Sequence, residues 1–245
     1  MKAVFFALLF FTAFSMAGQN NEGRIIYEDK YNIHKNLPPR MEAMKDRIPE
    51  FRSSKKELIF KVDEALYKAY VETTEKPQEF KGEGRRYRWG SRGENNEYYT
   101  NVSSMSSVDR REFFGKEFLI EGERDKLPWK ITTEQKQVGS YLCQKAILQD
   151  STSTTIAWFT PMIPVAAGPD DFYGLPGMIL HVDVDEGTRL ITAQSIELKV
   201  LDQEIERPSK GKKVTKEEFE KIREEKMKEI EQEYGGNRRY RYMRR

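Results

Sequence analysis

Leu58, Phe60 and Val62 alternate with Glu57, Lys61 and Asp63, so apolar and polar side chains fall on opposite faces of an extended segment. The same two-residue period returns where Trp129 and Ile131 oppose Lys130, Thr132, Glu134 and Lys136. It returns again where Ile196, Leu198 and Val200 oppose Ser195, Glu197 and Lys199. One-sided strands of this kind belong to antiparallel sheet with a wet face, since strands buried on both faces read as continuous apolar runs. Further strands are expected over 24–31, 66–72, 97–102, 111–114, 117–121, 141–149, 154–159 and 178–185. Short strands at this density, with turn residues between them, predict a mainly β fold: a curved antiparallel sheet, as an incomplete barrel or a sandwich. The pattern leaves those two open.

Two stretches break the period. Pro38-Pro39 leads into 40–47, a short helix with proline in its first turn. Thr215-Lys216-Glu217-Glu218 reads as a capping box, in which the threonine hydroxyl and a glutamate carboxylate each satisfy a backbone N–H at the helix start. Phe219, Ile222, Met227, Ile230 and Tyr234 then recur at helical spacing, and Gly235-Gly236 ends the run. This gives one C-terminal helix with a narrow apolar stripe, set to dock lightly on the sheet or project from it.

Composition narrows the class. Of 245 residues, 38% are apolar and 33% charged, with a single Cys, which excludes a bundle of membrane-spanning helices and a disulfide scaffold. Lys+Arg 42 against Asp+Glu 40 leaves +2, so no bulk charge calls for nucleic acid. The N-terminus has the form of an export signal. Lys2 precedes an apolar run over 3–14 broken only by Thr12, and Ser15-Met16-Ala17 sets small residues before a cleavage point at Gly18. No Cys follows to take a lipid anchor. The expectation is a signal peptide at 1–17, one β-rich domain at 18–200, and a charged helix and tail at 201–245. The mature chain would sit in the periplasm or against the outer membrane. Arg-Arg-Tyr-Arg occurs twice, at 85–88 and 238–241, and these basic segments suit contact with an anionic membrane surface.

The least ordinary stretch begins at Gly168-Pro169-Asp170-Asp171-Phe172-Tyr173 and continues Gly174-Leu175-Pro176-Gly177-Met178-Ile179. Leu175-Pro176-Gly177-Met178 suits a type II turn, with proline fixing φ at its second position and glycine supplying positive φ at its third. Pro161 and Pro164 keep the residues upstream out of regular ladders. Together with Ala157-Trp158, Thr160 and Gly139 through Cys143 to Lys145-Ala146, the segment resembles the GLPGLI family of exported Bacteroidetes proteins, with Met178 where that family often has leucine. The resemblance implies an envelope location and a β-rich fold. It carries no activity and no catalytic residue with it.

Catalytic chemistry is thinly supplied. There are two histidines, His34 and His181, and no nucleophile elbow, zinc-helix or phosphate-loop motif. His181, Asp183 and Asp185 share one face of a strand, but i and i+4 lie about 13 Å apart, too far for one metal ion. Cys143, between Tyr141, Leu142, Ala146 and Ile147, reads as a small buried hydrophobe. Asp170-Asp171 read as caps of a turn after Pro169. The expected function is therefore non-enzymatic: an apolar concavity lined by Trp158, Phe172, Tyr173, Leu175 and Pro176 that holds a lipid, a peptide or an envelope protein. No catalytic residue, metal or cofactor is assigned. Two alternatives stand beside it: an accessory protein docking through its C-terminal helix, and a hydrolase using His181 or Cys143.

Overall fold

The computed structural model describes residues 21–37, 39–71, 95–150, 153–202 and 204–234. The expected export signal, the Arg85–Arg88 segment and the Arg-rich tail lie outside the described residues. Twelve strands form one sheet: β1 (Gly23–Asn32), β2 (Phe51–Lys61), β3 (Glu64–Ala69), β4 (Glu97–Asn101), β5 (Ser106–Phe113), β6 (Lys116–Glu123), β7 (Lys130–Val138), β8 (Tyr141–Gln149), β9 (Thr154–Thr160), β10 (Met178–Val184), β11 (Arg189–Leu198) and β12 (Lys212–Thr215). Their order is β12-β6-β5-β4-β3-β2-β1-β11-β10-β9-β8-β7. Two antiparallel meanders, β1–β6 and β7–β11, thus meet at the β1–β11 pair. Among the described strands only β12 runs parallel to its neighbour, β6.

The connection from β6 to β7 shows that this sheet is curled. Those strands stand ten strand spacings apart in the order, about 48 Å if the sheet were flat. Residues 124–129 join them, and such a linker reaches roughly 24 Å when fully extended. The sheet therefore wraps on itself without hydrogen-bonding shut. The described strands thus form one bent sheet that does not close into a barrel.

Adjacent cross-strand rows show how the two faces differ. One row runs Ile25, Leu58, Tyr67, Tyr98, Asp109 and Ile120 across β1 to β6 and points into the concavity. The next runs Arg24, Ile59, Leu66, Tyr99 and Val108 and points out. Inside, Tyr27, Phe60, Phe159, Val182 and Ile191 join the main core, the term that drives such a sheet to fold. A second cluster forms where Phe219 of the helix α1 (Lys216–Tyr234) meets Phe118, Ile120 and Val214. The capping box forms as expected: Thr215 N–H donates to Glu218 Oε2 at 2.9 Å, and Glu218 N–H to Thr215 Oγ1 at 3.2 Å.

Two expectations change. The segment over 39–47 is a 3-10 helix. The chain beyond residue 200 is no appendage, because β12 extends the sheet and residues 199–211 cross its outer face as a strap. Gly211 abuts Phe118, so closely that a Cβ would lie 2.8 Å from that residue's carbonyl carbon. Among the described residues no helix is long and apolar enough to cross a membrane.

Candidate functional site

Residues 161–177 leave β9, enter the curl, turn at Asp170-Asp171 and return to β10. Ile163, Val165 and Ala167 are buried on the way in. The backbone is held by Met178 N–H to Ile163 O at 3.0 Å, Ile179 N–H to Ala167 O at 3.0 Å and Gly174 N–H to Ala166 O at 3.2 Å. Tyr27 of β1, two strands from β10 in the sheet order, donates its hydroxyl to Ile179 O at 2.6 Å. Glycine is required at two points. A Cβ on Gly168 would come within 2.6 Å of Phe172 O, and one on Gly177 within 2.2 Å of Thr160 O. Pro176 forms a turn tighter than type II: Gly177 N–H bonds Leu175 O at 2.7 Å, with Gly177 at φ 148°.

This inserted segment lies on the concave side of the sheet, where the sequence led to an expected apolar concavity. Leu175, Phe172 and Tyr173 are 1%, 6% and 9% exposed; they fill the interior instead of lining an open cleft. Pro176 is exposed at the rim. Trp158 is half-buried, and strand alternation with buried Ala157 and Phe159 turns it to the other face. There Lys136 Nζ lies 4.3 Å from its ring centroid. The void left beside Tyr98, Asp170 and Phe172 is about 10 Å³, room for about one water.

The tip carries charge. Arg189 Nη1 pairs with Asp170, while its Nε and Nη2 take Asp29 Oδ1 and Oδ2 at 3.0 and 2.7 Å. Tyr98 also hydrogen-bonds Asp170. Arg124 holds Asp109 with two nitrogens, at 3.1 and 2.7 Å. Arg111 reaches Asp109 at 2.9 Å and Asp171 at 4.0 Å, and lies 4.9 Å from the Tyr98 ring and 6.0 Å from that of Phe219. It therefore spans the two apolar clusters. Burial alone would raise the Asp170 carboxyl, but Arg189, Tyr98 and Arg111 outweigh it and hold it below the usual range. Burial and the neighbouring Asp170 push Asp171 up, against Arg111 and Arg124. Burial also lowers Lys56, in part offset by Asp29 and Asp170. The linker closes the arrangement: Trp129 Nε1 donates to Tyr173 O at 2.8 Å, and Tyr173 donates its hydroxyl to Asp125 O at 2.6 Å.

Asp170 and Asp171 sit in the expected turn, but their partners come from β4, β5, β11 and the β6–β7 linker. A signal for these partners stands in the sequence. Asp29 continues the inward parity of Ile25 and Tyr27, and Asp109 and Arg111 keep the inward parity of β5. Charges at core-facing positions imply buried partners.

A groove of about 1000 Å³ opens on the outer face between the strap and β1–β5. Ile205 anchors the strap by packing with Leu66, Tyr99, Ile59 and Val108. The groove's cations are largely matched: Arg24 and Lys68 to Glu57 at 3.2 and 3.7 Å, Arg110 to Glu97 at 2.8 Å, and Arg207 to Glu64 at 3.4 Å. Asp202, Glu204 and Glu206 of the strap also line it, and among the described residues they form no ion pair.

The remaining candidates are engaged singly. His181 Nδ1 meets Thr192 Oγ1 at 2.8 Å, and burial, then Lys136, lowers its pKa to about 4. Asp183 accepts from Gly187 N–H, and Asp185 from Thr154 N–H at 2.9 Å. Cys143 is fully buried, as expected, and burial pushes its thiol up to about 11.

Comparison with known proteins gives fold and little more. Residues 147–181 match the model of a family described as a protein of unknown function (Porph_ging). No curated protein sequence matches the chain. The structure of PNGF-II in its P21 crystal form is similar at 13% identity with a TM-score of 0.54, covering 82% of this chain and 33% of that one. PNGF-II in the C2 form gives 14% and 0.49, covering 74% and 28%. The chain thus spans about a third of PNGF-II, and the likeness concerns the fold alone.

Proposed function

We propose that this chain belongs with the GLPGLI proteins, is exported to the cell envelope, and serves there as a non-enzymatic binder of a polypeptide partner. The site is the outer groove beneath the strap, in place of the apolar concavity expected from sequence. The groove carries this reading: about 1000 Å³ opens between the strap and β1–β5, while the void beside Tyr98, Asp170 and Phe172 is about 10 Å³. Its size is in the range that holds ligands, and its walls are charged and hydrogen-bonding, which suits a peptide over an acyl chain. Engagement of His181 with Thr192 and burial of Cys143 favour binding over hydrolysis. Export rests on Lys2, the apolar run over 3–14 and Ser15-Met16-Ala17. The test is site-specific photo-cross-linking in the native envelope, with the reactive side chain at position 68 in the groove or at position 145 on β8. The proposal expects peptide adducts at 68 and none at 145. Lipid adducts at 68, or equal labelling at both, would contradict it.

A further inference from the structure

We infer that the uncharged corner formed by Leu142, Pro161, Met162 and Pro176, at one end of the curl, dips into the surface of a phospholipid bilayer. The inference is independent of the outer groove and adds a membrane contact to the polypeptide-binding reading.

Sequence and register build the corner together. No Asp, Glu, Lys or Arg occurs in 137–144, 151–169 or 172–180, in a chain that is 33% charged. These stretches supply the β7–β8 turn, β9, both limbs of the insert and the start of β10. Gln144 pairs with Phe159, so two residues further on Leu142 is level with Pro161. Met178 pairs with Thr160, so Pro176 is level with Met162. Leu142 and Met162 are 53% and 66% exposed, and Pro161, Pro164 and Pro176 are exposed beside them. One exposed apolar residue needs no explanation, but a group of neighbours marks a contact surface. The group is also stiff. Met162 N–H donates to Thr160 Oγ1 at 3.3 Å, and Gly177 N–H to Leu175 O at 2.7 Å. Turns fixed in this way have little order left to gain on contact.

The layering behind the corner decides what it meets. Lys145 and Trp158 face each other across β8 and β9, three residues behind Leu142 and Pro161, or about 10 Å along the strands. Lys136 reaches the same layer, its Nζ 4.3 Å from the Trp158 ring centroid. Lys145 also pairs with Glu134 at 2.9 Å. An apolar tip is thus backed by a layer of tryptophan and lysine. Lysine is depleted in protein–protein contacts, whereas tryptophan and lysine together mark the headgroup level of a membrane, with the lysine stem lying along apolar surface and its amine in water. The spacing agrees with the depth of about 5–10 Å that interfacial segments reach. The tip then meets the acyl boundary while Lys136 and Lys145 meet phosphates.

The test places an environment-sensitive nitrobenzoxadiazole label on the full chain at Met162→Cys or, as the control, at Met44→Cys. Met44 is 48% exposed between β1 and β2, at the opposite end of the strands. Cys143 is fully buried and stays unlabelled. The probe is a vesicle of phosphatidylethanolamine and phosphatidylglycerol containing a lipid spin-labelled near the top of its acyl chain. Quenching at 162 is expected to exceed that at 44 by at least about fivefold, as an inserted tip requires. Adding Leu142→Asp should bring 162 down to the level of 44 at an unchanged melting temperature, since that side chain is exposed. The apolar run over 3–14 is common to all these proteins, so the contrast between positions is the readout and vesicle binding alone is not. Equal quenching at both positions, none at 162, or quenching at 162 unchanged by Leu142→Asp would overturn the inference. A label at 162 that ignores vesicles but responds to soluble envelope protein would assign the corner to a protein contact and overturn it too.

Discussion

Arg189 grips Asp29 with two nitrogens, Nε at 3.0 Å and Nη2 at 2.7 Å, across 160 residues of sequence, and gives its third nitrogen to Asp170. One guanidinium thus ties β1, β11 and the inserted segment together inside the curl. Breaking a buried pair from one side leaves a charge without its partner, at a cost of about 3–5 kcal/mol. Arg189→Met should therefore lower the melting temperature by roughly 8–15 °C. Removing the charges together, with Arg189→Met, Asp29→Leu and Asp170→Leu, should recover part of that loss. Chemical denaturation of both variants measures it.

Asp170 and Asp171 should respond to pH with opposite signs. Asp170 is held below its unfolded value, so its contribution is present above about pH 4 and is lost as pH falls through the folded pKa. Asp171 is raised, so its ionisation costs stability as pH rises above about 4. Asp170→Asn should then destabilise at pH 7 and Asp171→Asn stabilise, and both differences should fade on acidification. Melting curves of the two variants across this range test the pair.

His181 adds a separate acid dependence. The fold keeps its ring neutral down to about pH 4, whereas the unfolded chain takes up a proton below about 6.5. Stability should decline between those values and level off beneath them. A His181→Asn variant should lack this component of the decline.

Gly177 faces a backbone carbonyl at the rim of the insert, and a methyl group added there would lie 2.2 Å from Thr160 O. Gly177→Ala should cost about 2–4 kcal/mol. Gly115→Ala, at φ 73° with open space around it, should cost only about 1 kcal/mol. Denaturant unfolding of the two variants compares them, and equal costs would mean that the close approach at Gly177 does not constrain the native state.

Much of this architecture is legible in the sequence because period two reports on a single side chain's environment. The alternation of Leu58, Phe60 and their neighbours marks β2, and Thr215 with Glu218 marks the start of α1. The curl is accessible only as a general expectation; it follows from strand order, which no local pattern encodes. The insert is harder still. Proline and glycine at 161–177 announce turns, and the greasy residues between them look the same whether they line a cleft or plug it. Leu175 is core because Tyr27, far away in sequence, bonds Ile179 and joins the same cluster. The strap's Ile205 sits alone among polar residues, and a single apolar side chain carries no period from which to foresee the groove.

The chain's own segment, with Phe172, Tyr173 and Leu175 buried, fills space inside the curl. Titration with cis-parinaric acid, whose fluorescence rises on entering an apolar site, tests this most directly. No saturable signal is expected from the folded full chain. Saturable micromolar binding, abolished by Leu175→Trp in a variant that still melts cooperatively, would put an acyl-chain site inside the curl and contradict the filled interior.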